Sequence, residues 1–200
     1  MKTYNVLFKD QTKPSYLNLN ELQEKLQFTY VEQLATLHAD EKEKMTLEGP
    51  NYLNSEAEEN GKKYQSLIES SFTPKVSVRW VSEEVGYGLF AEEDLREGSY
   101  VGEYVGQIRK NDEHGTFNHY LYSYPVLDFI GRNYVIDATC GNLLRFANHS
   151  FEFNLKKAYA YFPPFYHAIF ITCRPIVKGE QLTYNYGKKY WYLRGTPRIL

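Results

Sequence analysis

Gly141-Asn142-Leu143-Leu144-Arg145-Phe146-Ala147-Asn148-His149-Ser150 and, about thirty residues further on, Gly179-Glu180-Gln181-Leu182-Thr183-Tyr184-Asn185-Tyr186-Gly187 are the segments on which the reading of this chain turns. Singly, each is a weak pattern. Together, in this order and at this spacing, they make a strong one. Each sets hydrogen-bonding side chains among glycine and apolar positions: Arg145, Asn148 and His149 in the first, Tyr184, Asn185 and Tyr186 in the second.

The surrounding sequence has the texture of short strands. Val76-Ser77-Val78-Arg79-Trp80-Val81 alternates apolar and polar residues, as a half-buried strand does. Gly86-Tyr87-Gly88 makes a tight turn into a further strand, Ser99–Gly106 is punctuated by small residues, and Tyr120–Leu127, Asn133–Ile136 and His167–Cys173 read as strands. Residues 110–119 are polar and read as helix or loop. Before Val76 the pattern is helical. Asn20 and Gln23 suggest an N-cap and capping box, and Leu22, Leu26, Tyr30, Leu34 and Leu37 recur at helical spacing, predicting a helix over 21–38. Gly49-Pro50-Asn51 breaks it, a second helix is expected over 55–70, and residues 1–19 form an irregular or short-strand lead. The expected class is mainly β (α+β): a helical N-terminal region (1–75), a β domain (76–187) with an inserted sub-region at about 110–130, and a C-terminal covering segment (188–200).

Composition narrows the function. Hydrophobic residues at 42% and charged residues at 24% of 200 are those of a globular chain. No apolar run approaches the roughly 20 residues that span a bilayer, and the N-terminus lacks the apolar core of a cleavable signal peptide. Cys140 and Cys173 are too few for a disulfide framework or a four-cysteine zinc site. A net charge of −2 argues against a protein that grips phosphate backbones, so neither nucleic acid nor membrane is an expected partner. Residues 1–74 are net acidic and 75–200 net basic, which either helps attract a lysine-rich partner or marks a solvated surface. Nineteen tyrosines and twelve phenylalanines supply core packing and enough aromatic surface to line a narrow channel for a cation.

The two opening segments resemble the signature motifs of SET-domain protein lysine methyltransferases, usually written RFxNHS…N and GEELxxDYG. The resemblance extends to Gly86–Ala91, similar to the family's GxG turn, to Gly102–Gly106, similar to its GEYxGE strand, and to Asp137-Ala138-Thr139. The whole pattern, with Tyr190-Trp191, is similar to the small SET proteins of chlamydia-like bacteria. It implies a SET fold, several short curved sheets around a pseudoknot, and S-adenosylmethionine-dependent transfer of methyl groups to a lysine amine. S-adenosylhomocysteine is the implied product, and no metal is needed. Implied partners are histones or bacterial histone-like proteins. Implied settings are a bacterial cytoplasm, or a host cell and its nucleus after export without a cleavable signal.

Residue by residue, the resemblance implies a catalytic set of Tyr186, Tyr120 and Tyr184. It implies a donor-binding set of Gly86, Tyr87, Gly88, Tyr120, Arg145, Asn148, His149, Tyr186 and Trp191, and a lysine channel walled by Tyr104, Tyr122 and Tyr184. Arg145 alternatively serves as an ion-pair partner for the crossing loop, and Trp191 either stacks on adenine or packs the C-terminal segment. An aromatic channel disfavours a charged lysine, so the amine arrives with its lone pair. Tyr184 at the family's Phe/Tyr switch position implies mono- or dimethylation. Asn154 stands at the place of the motif's terminal asparagine. Departures are Phe151 and Phe153 in place of Cys and Pro, Asn185 in place of Asp, and the absence of cysteine-rich flanks. The cover over the site must then come from 188–200, the helical N-terminus or a second copy in a homodimer. The competing readings are a non-catalytic SET-fold interaction module, and an unrelated interaction protein presenting Tyr159–Tyr166 as an aromatic patch.

Overall fold

The computed structural model describes residues 2–111 and 118–192. The chain opens with strands β1 (Tyr4–Leu7) and β2 (Ser15–Leu17), then helix α1 (Leu19–Leu26), and the short strands β3 (Thr29–Tyr30) and β4 (Ala35–Thr36). The single helix expected over 21–38 is therefore helix only as far as Leu26, and two short strands joined by irregular chain follow. Asn18, not Asn20, caps it: its Oδ1 accepts from Glu21 N at 3.1 Å, while Glu21 Oε2 accepts from Asn18 N at 2.8 Å. Gln27 ends the helix in the left-handed region at φ 52°. Beyond it the aromatic and β-branched run Phe28-Thr29-Tyr30-Val31 favours extension. The apolar spacing of four that suggested a longer helix also fits alternate positions of an extended chain.

Helices α2 (Ala39–Glu48) and α3 (Ser55–Glu69) follow, joined by a 3-10 turn at Gly49–Tyr52. Asn54 caps α3, accepting from Ala57 N at 2.8 Å, and Tyr64 and Ile68 are buried. The strands after this point are β5 (Val76–Ser82), β6 (Gly86–Ala91), β7 (Tyr100–Glu103), β8 (Gln107–Lys110), β9 (Leu121–Leu127), β10 (Asn133–Asp137) and β11 (Cys140–Gly141). A 3-10 turn at Leu143–Phe146 leads to β12 (Asn148–His149), β13 (Leu155–Phe162), β14 (Phe165–Thr172), β15 (Thr183–Tyr184) and helix α4 (Lys188–Tyr192). The expectation of helix or loop over 110–119 falls largely outside the described residues, as do 193–200 of the covering segment.

Four small sheets result, ordered β2-β1-β5-β6, β4-β8-β10-β9, β11-β3 and β12-β15-β13-β14-β7. The segment expected to be a helical appendage supplies strands to three of them. β1 runs parallel to β5 (Val6 opposite Val78), β3 to β11 and β4 to β8. α3 lies so close to β13 that a Cβ on Gly61 would stand 2.0 Å from the Tyr161 carbonyl oxygen. The run Tyr159–Tyr166 forms the β13–β14 hairpin turn. Tyr166 is buried, its hydroxyl donating to Gly49 O at 3.1 Å, and the Tyr161 ring packs on it at 4.6 Å. The run faces inward and is not an exposed aromatic patch.

The sheet that positions the site contains a crossing. β15 lies between β12 and β13 and is parallel to both, although β12 and β13 belong to one continuous segment, residues 148–162. The second opening segment is thus threaded through a loop of the first, an arrangement proteins rarely adopt. Asn154, 1% exposed, holds it. Its Nδ2 donates to Gln181 O at 2.8 Å and Glu180 Oε1 at 2.9 Å, and its Oδ1 accepts from Thr183 N at 2.9 Å.

Candidate active site

Beside this crossing lies a cavity of about 640 Å³. Gly86, Tyr87, Tyr104, Tyr120, Asn148, His149, Tyr184, Tyr186 and Trp191 line it. The first turn of the wall is fixed by Gly86, whose φ of 78° suits glycine, and by Asn148, whose Nδ2 donates to Tyr87 O at 3.1 Å. Gly88 has a different role from the one expected. It does not line the cavity; a Cβ there would come 2.5 Å from Gln181 Nε2 and 3.1 Å from Asn148 Nδ2. Its missing side chain lets the chain's own two motifs meet.

His149 is buried, and its Nδ1 accepts from Tyr186 N at 3.1 Å. That bond commits the lone pair and places the proton of a neutral imidazole on Nε2, which is buried without a partner in the protein. Burial holds the His149 pKa below its ordinary 6.5, and a backbone contact with Tyr184 offsets part of the shift. The Tyr186 hydroxyl donates to Ala147 O at 3.0 Å. Its ring stands 4.7 Å from Tyr184 and 4.6 Å from Tyr190. Burial keeps the phenols of Tyr104, Tyr184 and Tyr186 well above their ordinary pKa, so the wall they form stays protonated and uncharged.

Arg145 makes no ion pair among the described residues, against the expectation of one. Its Nε donates to Ala138 O at 2.9 Å and its guanidinium lies 3.8 Å over the Tyr120 ring and 4.8 Å over Phe28. A planar cation stacks well on aromatic faces, and here it clamps the Tyr120 wall. Tyr104 donates to Tyr120 O at 2.9 Å, fixing the same wall from the other side. Tyr122 lies behind the lining, packed on Tyr104 at 5.3 Å and Tyr159 at 6.1 Å. Trp191 packs on His149 at 5.0 Å, and its Nε1, like His149 Nε2, is buried without a partner in the protein. Asn185 accepts from Gly187 N at 2.8 Å, and Phe151 sets its ring on His149 at 4.8 Å.

Sequence reasoning missed part of the lining: Leu26, Gln27, Glu84, Val85, His119, Thr139 and Phe146. Glu84 and Val85 directly precede the glycine turn, so proximity to it was an available signal. Leu26 and Gln27 carried none, because they reach the cavity only through the β3–β11 pairing. Tyr190 also lines it, its hydroxyl 3.1 Å from His119 Nδ1. The start of the covering segment and the N-terminal region thus both close the cavity.

The SET domain family model matches residues 86–187, which spans the glycine turn, both crossing segments and the tyrosine wall. The chain belongs to the SET-domain family. Similar curated proteins include the histone-lysine N-methyltransferase EHMT1 of Homo sapiens, 32% identical over 117 residues, which cover 56% of this chain and 9% of that protein. The putative histone-lysine N-methyltransferase ASHH4 of Arabidopsis thaliana is 36% identical over 110 residues, covering 52% of this chain and 31% of its own length. This SET-family chain therefore spans less than a third of these relatives. Among solved structures, ATXR5 in complex with histone H3.1 shares the fold at a TM-score of 0.60 and 16% identity, over 85% of this chain and 86% of that one. An autoinhibited polycomb repressive complex 2 bound to S-adenosylmethionine aligns at 0.51 and 26% identity, over 66% of this chain and 18% of that one.

Proposed function

We propose that this SET-family chain is an S-adenosylmethionine-dependent protein-lysine N-methyltransferase acting on a basic, lysine-rich protein such as a histone or histone-like protein. The observation that carries the proposal is the position of Tyr186. Its ring lies 5.4 Å from His149 and 6.2 Å from Trp191, which carry the unpaired N–H groups Nε2 and Nε1, and 4.7 Å from Tyr184 of the uncharged tyrosine wall. Unpaired buried donors fit a ligand rich in acceptors, and S-adenosylmethionine offers a purine, a ribose and a carboxylate. Gly86, Tyr87, Asn148, His149 and Trp191 would hold it. When bound, it supplies an electrophilic methyl on a sulfonium.

The protein's own part is positioning. Tyr104, Tyr120 and Tyr184 exclude water and disfavour an ammonium, so a lysine amine between them is pushed toward its neutral form. The Tyr186 hydroxyl, held by Ala147 O, orients that amine, and the crossing fixes Tyr186 relative to His149. His149 has spent its lone pair and the phenols stay protonated, so none of these groups takes the amine proton. His119 and Glu84 also line the cavity, and the proton leaves to one of them or to solvent. Tyr184 adds a hydroxyl that narrows the wall, favouring one or two methyl groups over three. The similarity to the small SET proteins of chlamydia-like bacteria favours host histones or a bacterial nucleoid protein as substrate.

The test is methyl transfer from labelled S-adenosylmethionine to core histones and a basic bacterial nucleoid protein, with mass spectrometry counting methyl groups per lysine. Tyr186→Phe should cost roughly 10²–10³-fold in rate with donor affinity nearly unchanged, the scale of removing one transition-state hydrogen bond. A trimethylated product refutes the reading of Tyr184. Absence of donor binding by calorimetry refutes the transferase.

A further inference from the structure

Lys157 is an exposed cation that the proposed reaction has not used. On β13, residues 155, 157 and 159 fall on one face. Leu155 is buried opposite Tyr184, and Tyr159 packs on Tyr122 at 6.1 Å. Between them the Lys157 Nζ stands 5.6 Å from the centroid of the Tyr122 ring, and a Cβ on Gly187 would come within 3.8 Å of it. The ammonium thus lies between β9 and the end of the second motif, beside the tyrosines expected to receive the substrate lysine.

Its surroundings differ from those of the ion-paired arginines. Arg79, Arg109, Arg132 and Arg174 each have a carboxylate within 3.1 Å. Lys157 has none among the described residues, and its contact is an aromatic face. The nearby apolar surface strips water from the ammonium and holds its pKa below the ordinary 10.5. The residue is exposed, so an arriving anion can reach the ammonium. Among the described residues β9 has a strand neighbour, β10, on one side only, and on β9 the Ser123 carbonyl accepts from the Tyr159 hydroxyl, so the edge is open to a partner chain only in part. An extended substrate laid along that edge places residues two apart on the same face, about 7 Å from each other.

Resting on the transferase reading, we propose that Lys157 is a specificity-determining residue: it takes the carboxylate of an Asp or Glu lying within three residues of the target lysine and disfavours Arg or Lys there. The probe is a peptide array in which one central lysine is flanked, at each position from −3 to +3 in turn, by Asp, Ala or Arg, incubated with the full chain and labelled S-adenosylmethionine. Wild type should favour Asp over Ala at one flanking position by roughly two- to fivefold, the strength of an exposed charge pair. Lys157→Met, which keeps the apolar stem against Tyr122, should bring that ratio to about one, and Lys157→Glu should transfer the preference to Arg at the same position. Rates too low in one variant are read from the other, since the ratio and not the rate is the signal. Label that is blind to flanking charge in wild type, or a preference both variants retain, overturns this inference alone. Absence of label on every peptide overturns the transferase reading and this inference with it.

Discussion

Replacing Asn154 with Ala should unfasten the crossing. The side chain makes three hydrogen bonds to the threaded segment and is 1% exposed, so water cannot take its place. Of the three partners, the Glu180 carboxylate is half-exposed and re-hydrates at little cost. Thr183 N is different: it belongs to a buried residue and its acceptor is the Asn154 amide oxygen. Leaving such a donor unpaired costs about 1–3 kcal/mol, and each lost neutral bond about 1 kcal/mol more, for a total of roughly 3–5 kcal/mol. Against a domain stability of about 5–15 kcal/mol this is severe. In urea the midpoint should fall by roughly 1–2 M, taking a slope of about 2–3 kcal/mol/M. Asn185→Ala is the control, since Asn185 is half-buried and gives up one local bond to Gly187 N, worth about 1 kcal/mol. The measurement is urea unfolding followed by tryptophan fluorescence, with the slope checked for constancy. A midpoint for Asn154→Ala no lower than that of Asn185→Ala would refute the claim that this amide holds the crossing.

Two further outcomes follow from the packing and the titration of the site. Gly61→Ala should destabilise the chain by roughly 1–3 kcal/mol in thermal unfolding, because the new methyl meets backbone at 2.0 Å and α3 must lift from β13; a net gain of about 1 kcal/mol, the helix-propensity value of alanine, would show that the helix shifts freely. His149 titrates lower folded than unfolded, so the unfolded chain binds more protons below its ordinary 6.5, and its contribution to stability is present above that pH and lost as pH falls. Urea midpoints taken between pH 7.5 and 5.5 should fall more steeply for wild type than for His149→Gln, and equal slopes would show that His149 is not held neutral.

The parts of this fold that were legible in the sequence are those whose bonding partners lie inside a motif. Asn148, His149, Asn154 and Tyr186 all bond within or between the two crossing segments, so residue type and spacing carried their placement. The N-terminal strands were not legible for the opposite reason. β3 and β4 are two residues long, and each pairs in parallel with a strand far along the chain, Cys140–Gly141 and Gln107–Lys110. A pairing that short leaves no periodicity, and tertiary context chose extension where spacing also allowed a helix. Arg145 was misjudged because a charge suggests a counter-charge. Its partners are a carbonyl and three aromatic faces, which no spacing rule announces.

In the proposed reaction the groups packed against Tyr186 are poor proton acceptors. A carboxylate in contact with Tyr186 would hold a lysine there as an ammonium, the form without a lone pair. The structure does the reverse. It spends the His149 lone pair on Tyr186 N, keeps Tyr104, Tyr184 and Tyr186 protonated by burial, and balances Arg145 with π-faces instead of an acid. Every one of these choices lowers the local negative charge. In the proposed reaction the same bond that locks the crossing, His149 to Tyr186 N, also removes the nearest proton acceptor, so the rigidity of the site and the neutrality of its nucleophile have one structural cause.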